Sequence, residues 1–379
     1  MRRISIESRK NWQSKVEEIG FNFHTLDSLY WDETAYYEFS MDEVDQIEKA
    51  TNELWTMCLE AVQYVIDNKL YSKFHIPQWI VPLIESSWDN DAPAIYGRFD
   101  FSFKYGVPKL LEFNADTPTS LFESSVVQWY WLQDFDSSKD QFNSIHEKLI
   151  AYWKYLEEYL HDYPLHFSAI KDNTEDFTTT EYMRDCAIQA GYITKFIDIK
   201  DIGWDNDLQE FLDLENKTIK NIFKLYPWEW LIDEEFGQHL LTDRNQTFWV
   251  EPSWKMILSN KAILPILWQL FKYHDHLLES YFEEDQQMLG SIYVKKPLLS
   301  REGSNISIIK DGEPVAETDG EYGQEGYIYQ EYCPLPTFGN KHPQVGSWII
   351  GQESAGIGIR ESETLITDNM SSFVPHLIV

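Results

Sequence analysis

Four polar side chains on two neighbouring predicted strands have residue types and spacing that could do chemistry. Arg98 and Asp100 alternate with phenylalanines on the first strand. Glu112 and Asn114 alternate with apolar residues on the second, after a Gly-containing turn at 104–107 that is typical of a β-hairpin. Residues two apart on a strand share a face. If the two polar faces coincide, two carboxylates and an amide oxygen converge, and such an oxygen-only set suits Mg²⁺.

The same alternation also fits an interpretation without chemistry. A half-buried antiparallel strand pair would place apolar residues such as Phe99 and Phe113 on the core face and leave the polar residues outside. In the functional interpretation, Arg98 beside the oxygen ligands can bridge to a phosphate and offset the charge that develops during its transfer. The spacing alone leaves both interpretations open.

A second segment has the features of a phosphate-binding hairpin. Backbone N–H groups of residues 302–305, around Gly303, lie between two predicted strands and can fold over phosphates. Lys296 adds a point charge, and Arg301 adds a planar fork for a carboxylate or phosphoryl group. An ordinary turn has the same composition. No Gly-x-x-x-x-Gly-Lys-Ser/Thr motif is present, and no Gly-x-Gly-x-x-Gly follows a strand, so neither a Walker loop nor a Rossmann site is predicted.

Composition bounds the class of protein and its partners. A chain of 379 residues with 43% hydrophobic and 16% aromatic content can form a large folded core. The formal net charge of −32 repels nucleic acid and anionic lipid at long range, so neither is expected as a partner. The negative charge mildly favours binding of a cationic small molecule such as a polyamine. The alternative is that the acidic surface only keeps the protein dispersed in solution.

The cysteines and the hydropathy indicate the compartment. Cys58, Cys186 and Cys333 are odd in number and lack metal-type spacing, so we expect reduced thiols and a cytoplasmic protein. The basic stretch Met1–Ser5 is not followed by an apolar core, and no run approaches the ~18 apolar residues of a membrane span. No signal peptide and no membrane partner are therefore expected, and the oligomeric state stays open.

The hydrophobic periodicity predicts a mixed α/β protein of the α+β class. One strand–helix–strand unit predicts parallel strands, with residues 173–179 as a candidate substrate loop. The predicted helices lie at residues 41–70, 120–133, 141–161, 180–191 and 260–274, the last starting at Lys261. The predicted strands are the hairpin 94–114, then 165–170, 192–199, 293–299, 305–310, 327–332, 347–351, 355–359 and 364–367. We expect residues 1–379 to form one integrated unit with approximate lobes 1–160, 161–225 and 226–379.

Several separate motifs, in order along the chain, together resemble the glutathionylspermidine synthase family. They are Gly-Arg-Phe-Asp from Gly97, Leu-Glu-Phe-Asn-Ala-Asp-Thr-Pro-Thr from Leu111, Lys-Lys-Pro-Leu-Leu-Ser-Arg-Glu-Gly-Ser-Asn from Lys295, and Ile-Gly-Ile-Arg-Glu from Ile357. The resemblance extends from about residue 10 to the C-terminus. It implies an ATP-grasp fold with a pre-ATP-grasp-like βαβ lobe and a mobile, strand-rich lid.

The resemblance also implies roles for individual residues. The implied catalytic arginines are Arg98, Arg301 and Arg360, and the implied Mg²⁺ ligands are Asp100, Glu112 and Asn114. Nucleotide contacts are implied for Lys261, Lys296, Gly303, Gln330, Glu331, Tyr332, Leu365 and Ile366. Contacts with the acid substrate are implied for Thr117, Thr119 and Ser120.

The implied activity is ligation of a carboxylate to an amine, with ATP and Mg²⁺ as cofactors and an acyl phosphate as intermediate. Family substrates are a glutathione-like peptide and a polyamine. Leu225 stands where the synthases carry a Thr that helps bind glutathione, so the acid is not implied for this chain. The chain is similar to single-domain bacterial relatives without the amidase domain, so hydrolysis of the conjugate is not expected. Glu181 and Glu229 are candidates to orient and deprotonate the amine.

Two other classes of function compete with the ligase. A glycoside hydrolase needs stacking aromatics and paired carboxylates, and the chain has 15 Trp and 63 acidic residues. The Lys/Arg set, and Asn114 beside Glu112, are features that a glycosidase does not need. A family member that binds nucleotide without ligating anything is the other alternative, and the intact set of oxygen ligands argues against it.

Overall fold

The computed structural model describes residues 1–26 and 28–379 and shows a mixed α+β protein. Short 3₁₀ turns and one π-helical turn, Glu123–Val127, lie between the regular elements. The α-helices are α1 Trp12–Glu18, α2 Met41–Asp67, α3 Val81–Asp89, α4 Gln128–Asp136, α5 Ile145–Tyr155, α6 Thr174–Ala190, α7 Trp228–Leu231, α8 Lys255–Leu258 and α9 Ile263–Leu270.

The strands account for most of the remaining regular structure. They are β1 Arg2–Ser5, β2 Ala35–Phe39, β3 Tyr96–Ser102, β4 Lys109–Asn114, β5 Leu165–Ala169, β6 Thr194–Asp198, β7 Gly203–Asp205, β8 Glu210–Leu212, β9 Asn221–Lys224, β10 Phe248–Val250, β11 Ser280–Phe282, β12 Ile292–Pro297, β13 Ser307–Lys310, β14 Glu313–Glu317, β15 Tyr327–Glu331, β16 His342–Ile350, β17 Glu353–Ser362, β18 Ser372–Val374 and β19 His376–Ile378.

Three sheets position the groups with possible chemistry. The central sheet is antiparallel in the order β18-β17-β16-β3-β4, so the predicted hairpin forms one of its edges. A second antiparallel sheet has the order β11-β15-β12-β13-β14. A parallel sheet has the order β10-β9-β5-β6, and α6 connects β5 to β6, which confirms the predicted strand–helix–strand unit. Smaller sheets are β1-β2-β19 and β7-β8.

The long helix α2 covers one face of the central sheet. Its apolar side packs against β16 and β17 in the main hydrophobic core. Ser40 and Glu43 form a reciprocal capping box at its N-terminus, each side chain accepting from the backbone N–H of the other residue. The helix predicted at residues 41–70 is confirmed, and it ends at Asp67.

Three predictions about elements near the site are wrong. α6 begins at Thr174, not residue 180, because the Asn173 side chain caps the helix by accepting from the Asp176 N–H; most of the predicted substrate loop is therefore helical. α9 begins at Ile263, because residues 261 and 262 form a turn in which the Asn260 side chain accepts from the N–H of Ala262.

The third error is the strand predicted at 364–367. This segment is a bend, in which the Thr364 hydroxyl donates to the carbonyl of Ile366. Ile366 itself packs with Ile308 of the second sheet and with Ile306, which directly precedes β13. The hydrogen bond of Thr364 and the packing of Ile366 thus hold this segment in place of strand pairing. The lobe boundaries at 160 and 225 stay a prediction.

Within the described residues, no helix combines the length and apolar character needed to cross a membrane.

Replacing the aromatic core of the hairpin tests how its strands are held. Phe99 is fully buried and stacks on Phe113 with ring centroids 3.9 Å apart. Phe99→Ala is expected to lower the free energy of unfolding by about 3–5 kcal/mol, because it removes a large buried ring and leaves a cavity. Urea unfolding measures this. Tyr105→Ala, in the exposed turn, is the control and should change stability by about 0.5 kcal/mol or less; equal losses in both variants would contradict this packing.

Candidate active site

The hairpin register brings the four predicted polar residues onto one face. Arg98 pairs with Asn114, and Asp100 pairs with Glu112, across β3 and β4. Phe99 and Phe113 pair on the opposite, core face. The Asn114 Nδ2 lies 3.0 Å from Asp100 Oδ2 and 3.3 Å from Glu112 Oε1. The two polar faces therefore coincide, as the functional interpretation requires.

Arg98 holds Asp100 in a fixed orientation. Its Nε donates to Asp100 Oδ1 at 2.6 Å, and its Nη2 donates to Oδ2 at 2.9 Å. Its Nη1 donates to the carbonyl of Thr119 at 2.6 Å. Gly346 of β16 pairs with Asp100, and a Cβ there would lie 2.8 Å from the Arg98 Cδ. A glycine at this position thus leaves the space that the Arg98 side chain occupies.

The charges of neighbouring lysines favour the ionised form of Glu112. Burial alone would raise the pKa of Glu112, but the charges of Lys261 and Lys296 outweigh it and lower that pKa to about 2. The Lys261 Nζ lies 3.4 Å from Glu112 Oε2 and donates to the carbonyl of Ser300 at 2.9 Å. Asp100, 1% exposed, differs: burial raises its pKa, and the charge of Arg98 opposes this.

Lys296 is a buried cation beside this face. Its Nζ donates to the carbonyl of Leu111 at 2.8 Å and to Gln330 Oε1 at 2.7 Å. Burial lowers the pKa of Lys296 to about 8, although the charge of Glu112 opposes the shift. The lysine is therefore cationic at neutral pH and loses its proton at mildly alkaline pH.

A cavity of about 350 Å³ opens between the hairpin, the second sheet, the start of α6 and the segments 298–306 and 365–369. Most of the predicted site residues line it. Those that do are Arg98, Asp100, Glu112, Asn114, Thr117, Thr119, Lys296, Arg301, Gly303, Gln330, Glu331, Tyr332, Arg360, Leu365 and Ile366.

Four predicted site residues do not line the cavity. Lys261 and Ser120 lie next to it, through their contacts with Glu112 and Arg360. Glu229 pairs with Arg301 at 2.8 Å. The structure does not bring Glu181 to the site, since its carboxylate is paired at 2.7 Å with Arg184, one turn along α6.

The segment carrying Arg301 and Gly303 closes one side of the cavity. Arg301 donates to the Thr117 hydroxyl and, through Nη2, to Glu229, and its guanidinium stands 5.3 Å from the Trp230 ring. Gly303 has φ +70°, and a Cβ there would lie 2.3 Å from the carbonyl oxygen of Thr367. This close approach requires glycine.

Arg360 differs from the other two arginines in its partners. Its Nε and Nη2 donate to the carbonyls of Ser371 and Asp368 at 2.9 and 2.8 Å. Arg98 and Arg301 form ion pairs with Asp100 and Glu229. In the part of the chain that the structure describes, Arg360 has no carboxylate within 4.0 Å. It is thus the arginine of the cavity whose charge is least compensated.

Sequence analysis missed two acidic residues that line the cavity. Glu175 and Asp176 lie in the first turn of α6, within the segment predicted as a loop. Burial, with the nearby charge of Glu175, raises the pKa of Asp176 to about 7. Burial also raises the pKa of Glu175, against the charge of Arg360. The sequence signal was available, since Asn-Thr-Glu-Asp is a helix start with acidic residues in its first turn.

The residues on the hairpin face fit a hard divalent cation. Among the described residues, no group of three or more His, Cys, Asp and Glu side chains is placed to hold a metal ion. The candidate set is instead two carboxylates and an amide, Asp100, Glu112 and Asn114. The amide nitrogen of Asn114 faces both carboxylates, and a half-turn of that amide presents its oxygen instead. Oxygen-only donors with room for water and phosphate match Mg²⁺.

Comparison with known proteins shows the type of fold and the family of this chain. The fold is similar to a solved glutathione synthetase-like effector from Globodera pallida, with a TM-score of 0.58, 12% identity and coverage of 91% of this chain and 89% of that one. At this identity the likeness concerns the mixed α+β, ATP-grasp type of fold alone. A family model described as glutathionylspermidine synthase preATP-grasp matches residues 3–379. The chain belongs to this family.

Two relatives show how the chain compares in length. A Haemophilus influenzae protein named "Putative acid--amine ligase" is 40% identical over 394 residues, with both chains fully covered. The bifunctional glutathionylspermidine synthetase/amidase of Escherichia coli is 29% identical over 375 residues, which are 91% of this chain and 59% of that protein.

The charge network predicts an unusual titration of Lys296. Its side-chain ammonium should lose its proton near pH 8, well below the ordinary value for lysine, because burial disfavours the charge. In Glu112→Gln the pKa of Lys296 should fall further, since a stabilising carboxylate is lost. Side-chain NMR of the lysines, assigned with Lys296→Met, measures both. Titration of Lys296 above pH 10 would contradict this description of the site.

Proposed function

We propose that this protein is an ATP- and Mg²⁺-dependent ligase that joins a carboxylate to an amine through an acyl phosphate. One observation carries the proposal: the cavity of a glutathionylspermidine synthase family member gathers an oxygen ligand set, a buried lysine and three arginines. Phosphoryl transfer needs mostly positioning and charge stabilisation, which these groups supply.

The nucleotide end of the proposed site is the region of Lys261 and Lys296. Both ammonium groups lie near Glu112, where ATP phosphates would meet a cation held by the hairpin. Mg²⁺ bound to Asp100, Glu112 and Asn114 would shield the phosphate charges from an attacking carboxylate. Apolar side chains of the second sheet, of the loops next to it and of the 365–366 segment line the cavity and can enclose a base; they are Val294, Ile306, Ile308, Leu335, Leu365 and Ile366.

The three arginines are proposed to serve the transfer itself. An oxygen of the acid attacks the γ-phosphorus, ADP leaves, and an acyl phosphate results. Arg98 lies next to the metal ligands and can stabilise the transferring group, while Arg301 and Arg360 can hold the acyl phosphate. Preorganised donors of this kind contribute roughly 3–4 kcal/mol each in transition-state stabilisation.

The amine is proposed to bind at the start of α6. Glu175 and Asp176 are the carboxylates there that line the cavity without an ion-pair partner within 4.0 Å among the described residues. They can attract an ammonium group, and Asp176, with its pKa raised to about 7, can accept the proton that the amine must lose. The neutral amine then attacks the acyl carbon, and phosphate leaves. Glu229 is less suited, because it is engaged by Arg301.

The two substrates are proposed by analogy with named relatives. A glutathionylspermidine synthetase joins a thiol peptide to a polyamine, and the acidic end of the cavity suits a polyamine. Leu225 lines the cavity and is 2% exposed, so the acid contacts an apolar side chain there. Phosphate release screened across thiol peptides and polyamines identifies the pair. A glycoside hydrolase has less support, because buried cations surround the carboxylates of the hairpin.

Removing one metal ligand tests the ligase against a binding-only protein. Glu112→Gln is expected to lower amine-dependent phosphate release on the order of a hundredfold or more, because charge stabilisation at the phosphates is lost. It should also abolish most of the rise in melting temperature that Mg-ATP causes. Glu181→Gln, a carboxylate outside the cavity, is the matched control and should retain both properties. If Mg-ATP raised the melting temperature of Glu112→Gln as much as that of the wild type, the assignment of Glu112 as a metal ligand would be contradicted.

Neutralising the acidic end of the cavity tests the amine site. Asp176→Asn and Glu175→Gln should each raise KM for the amine about tenfold, a loss of ~1.4 kcal/mol, and leave Mg-ATP affinity unchanged. In the wild type, kcat/KM for the amine should fall as pH drops through 7, because Asp176 becomes protonated and cannot accept a proton. In Asp176→Asn this fall of kcat/KM at low pH should be absent. An unchanged KM and pH profile would remove Asp176 from the mechanism.

A further inference from the structure

Three buried polar side chains next to Arg360 are not part of the proposed chemistry. Tyr30, Ser120 and Glu123 are each 3% exposed or less, and none of them lines the cavity. They come from distant parts of the chain: Tyr30 precedes β2, Ser120 lies just before the helical segment that leads into α4, and Glu123 lies in the π-helical turn. Burial of polar groups is costly unless they are paired, so their grouping calls for a physical reason.

The contacts link the carboxylate of Glu123 to the guanidinium of Arg360 through intervening side chains. The Tyr30 hydroxyl donates to Glu123 Oε1 at 2.5 Å and lies 3.2 Å from the Ser120 hydroxyl. Ser120 Oγ accepts from Arg360 Nη1 at 3.4 Å. The Arg360 guanidinium also lies over the Tyr30 ring, 5.2 Å from its centroid. Arg360 is therefore held by a ring and a hydroxyl whose own positions depend on Glu123.

Two further features show that this grouping is specific. Ser120 has φ +65°, in the left-handed region that non-glycine residues rarely adopt, and this backbone directs its hydroxyl to Arg360. Glu123 is fully buried, and its Oε2 has no hydrogen-bond partner. A carboxylate placed for packing or stability alone would not be left half satisfied, whereas one that fixes Tyr30 needs only its other oxygen.

We propose that Tyr30 and Glu123 are positioning residues for Arg360, which they orient without forming an ion pair with it. This inference rests on the proposed function, because it treats Arg360 as the group that binds an anion of the substrate. A carboxylate in direct contact would occupy the guanidinium, as Asp100 occupies Arg98. Acting through a tyrosine, Glu123 orients Arg360 and leaves its charge available to a phosphate or acyl phosphate.

Inorganic phosphate is the probe, titrated calorimetrically into the full-length protein saturated with Mg-ADP. Arg360→Lys should weaken phosphate binding most. Tyr30→Phe keeps the ring and loses the hydroxyl, and Glu123→Ala loses the acceptor; both should weaken phosphate binding about fivefold or more. Glu123→Gln keeps an acceptor for Tyr30 and removes a negative charge near Arg360, so it should bind phosphate as tightly as the wild type or more tightly.

Affinity for Mg-ADP separates positioning from general destabilisation. It should stay within twofold of the wild type in all four variants. The inference would be overturned if Tyr30→Phe and Glu123→Ala lost affinity for Mg-ADP and for phosphate in parallel. It would also be overturned if both variants bound phosphate as tightly as the wild type while Arg360→Lys did not. If Mg-ADP does not bind the wild type, the proposed function fails, and the same phosphate titration without nucleotide still decides the role of Tyr30 and Glu123.

Discussion

The pairing register of β3 with β4 is the constraint on which the rest of the site depends. It sets Asp100 opposite Glu112 and Arg98 opposite Asn114. A shift of one residue would turn every one of these side chains to the other face and bury charge in the aromatic core. The stacked rings of Phe99 and Phe113 on that core face therefore help to specify the site, although they lie on the face opposite its polar groups.

The charges around the cavity are compensated to different degrees, and the proposed roles of the three arginines follow from this difference. Arg98 and Arg301 are each paired with a carboxylate, so a substrate anion must share them. Arg360 is anchored by backbone carbonyls and a hydroxyl. Buried charges are costly unless they are paired. In the described residues, buried Lys296 and half-buried Arg360 form no ion pair within 4.0 Å, and this is the arrangement that the proposed binding of a polyanion requires.

Local patterns predicted the β3–β4 hairpin better than they predicted the elements around it. The hairpin followed from alternation and a Gly turn, both short-range signals, and the structure confirms it. The 364–367 strand failed because Ile366 is recruited by side chains of a different sheet. The contacts of Tyr30 with Glu123 join residues 93 positions apart, and no spacing rule indicates them. The acidic start of α6 was readable from its cap, but its place in the cavity depends on the three-dimensional arrangement of the sheets.

A crystal structure with Mn²⁺ and a non-hydrolysable ATP analogue tests the central claim most directly, because manganese scatters anomalously and accepts the same oxygen ligands as magnesium. We predict an anomalous peak bound by Asp100 and Glu112, with the oxygen of the Asn114 amide turned toward the ion and the analogue's phosphates between the ion and Lys296. A nucleotide bound elsewhere, or a peak that none of these three side chains contacts, would contradict it.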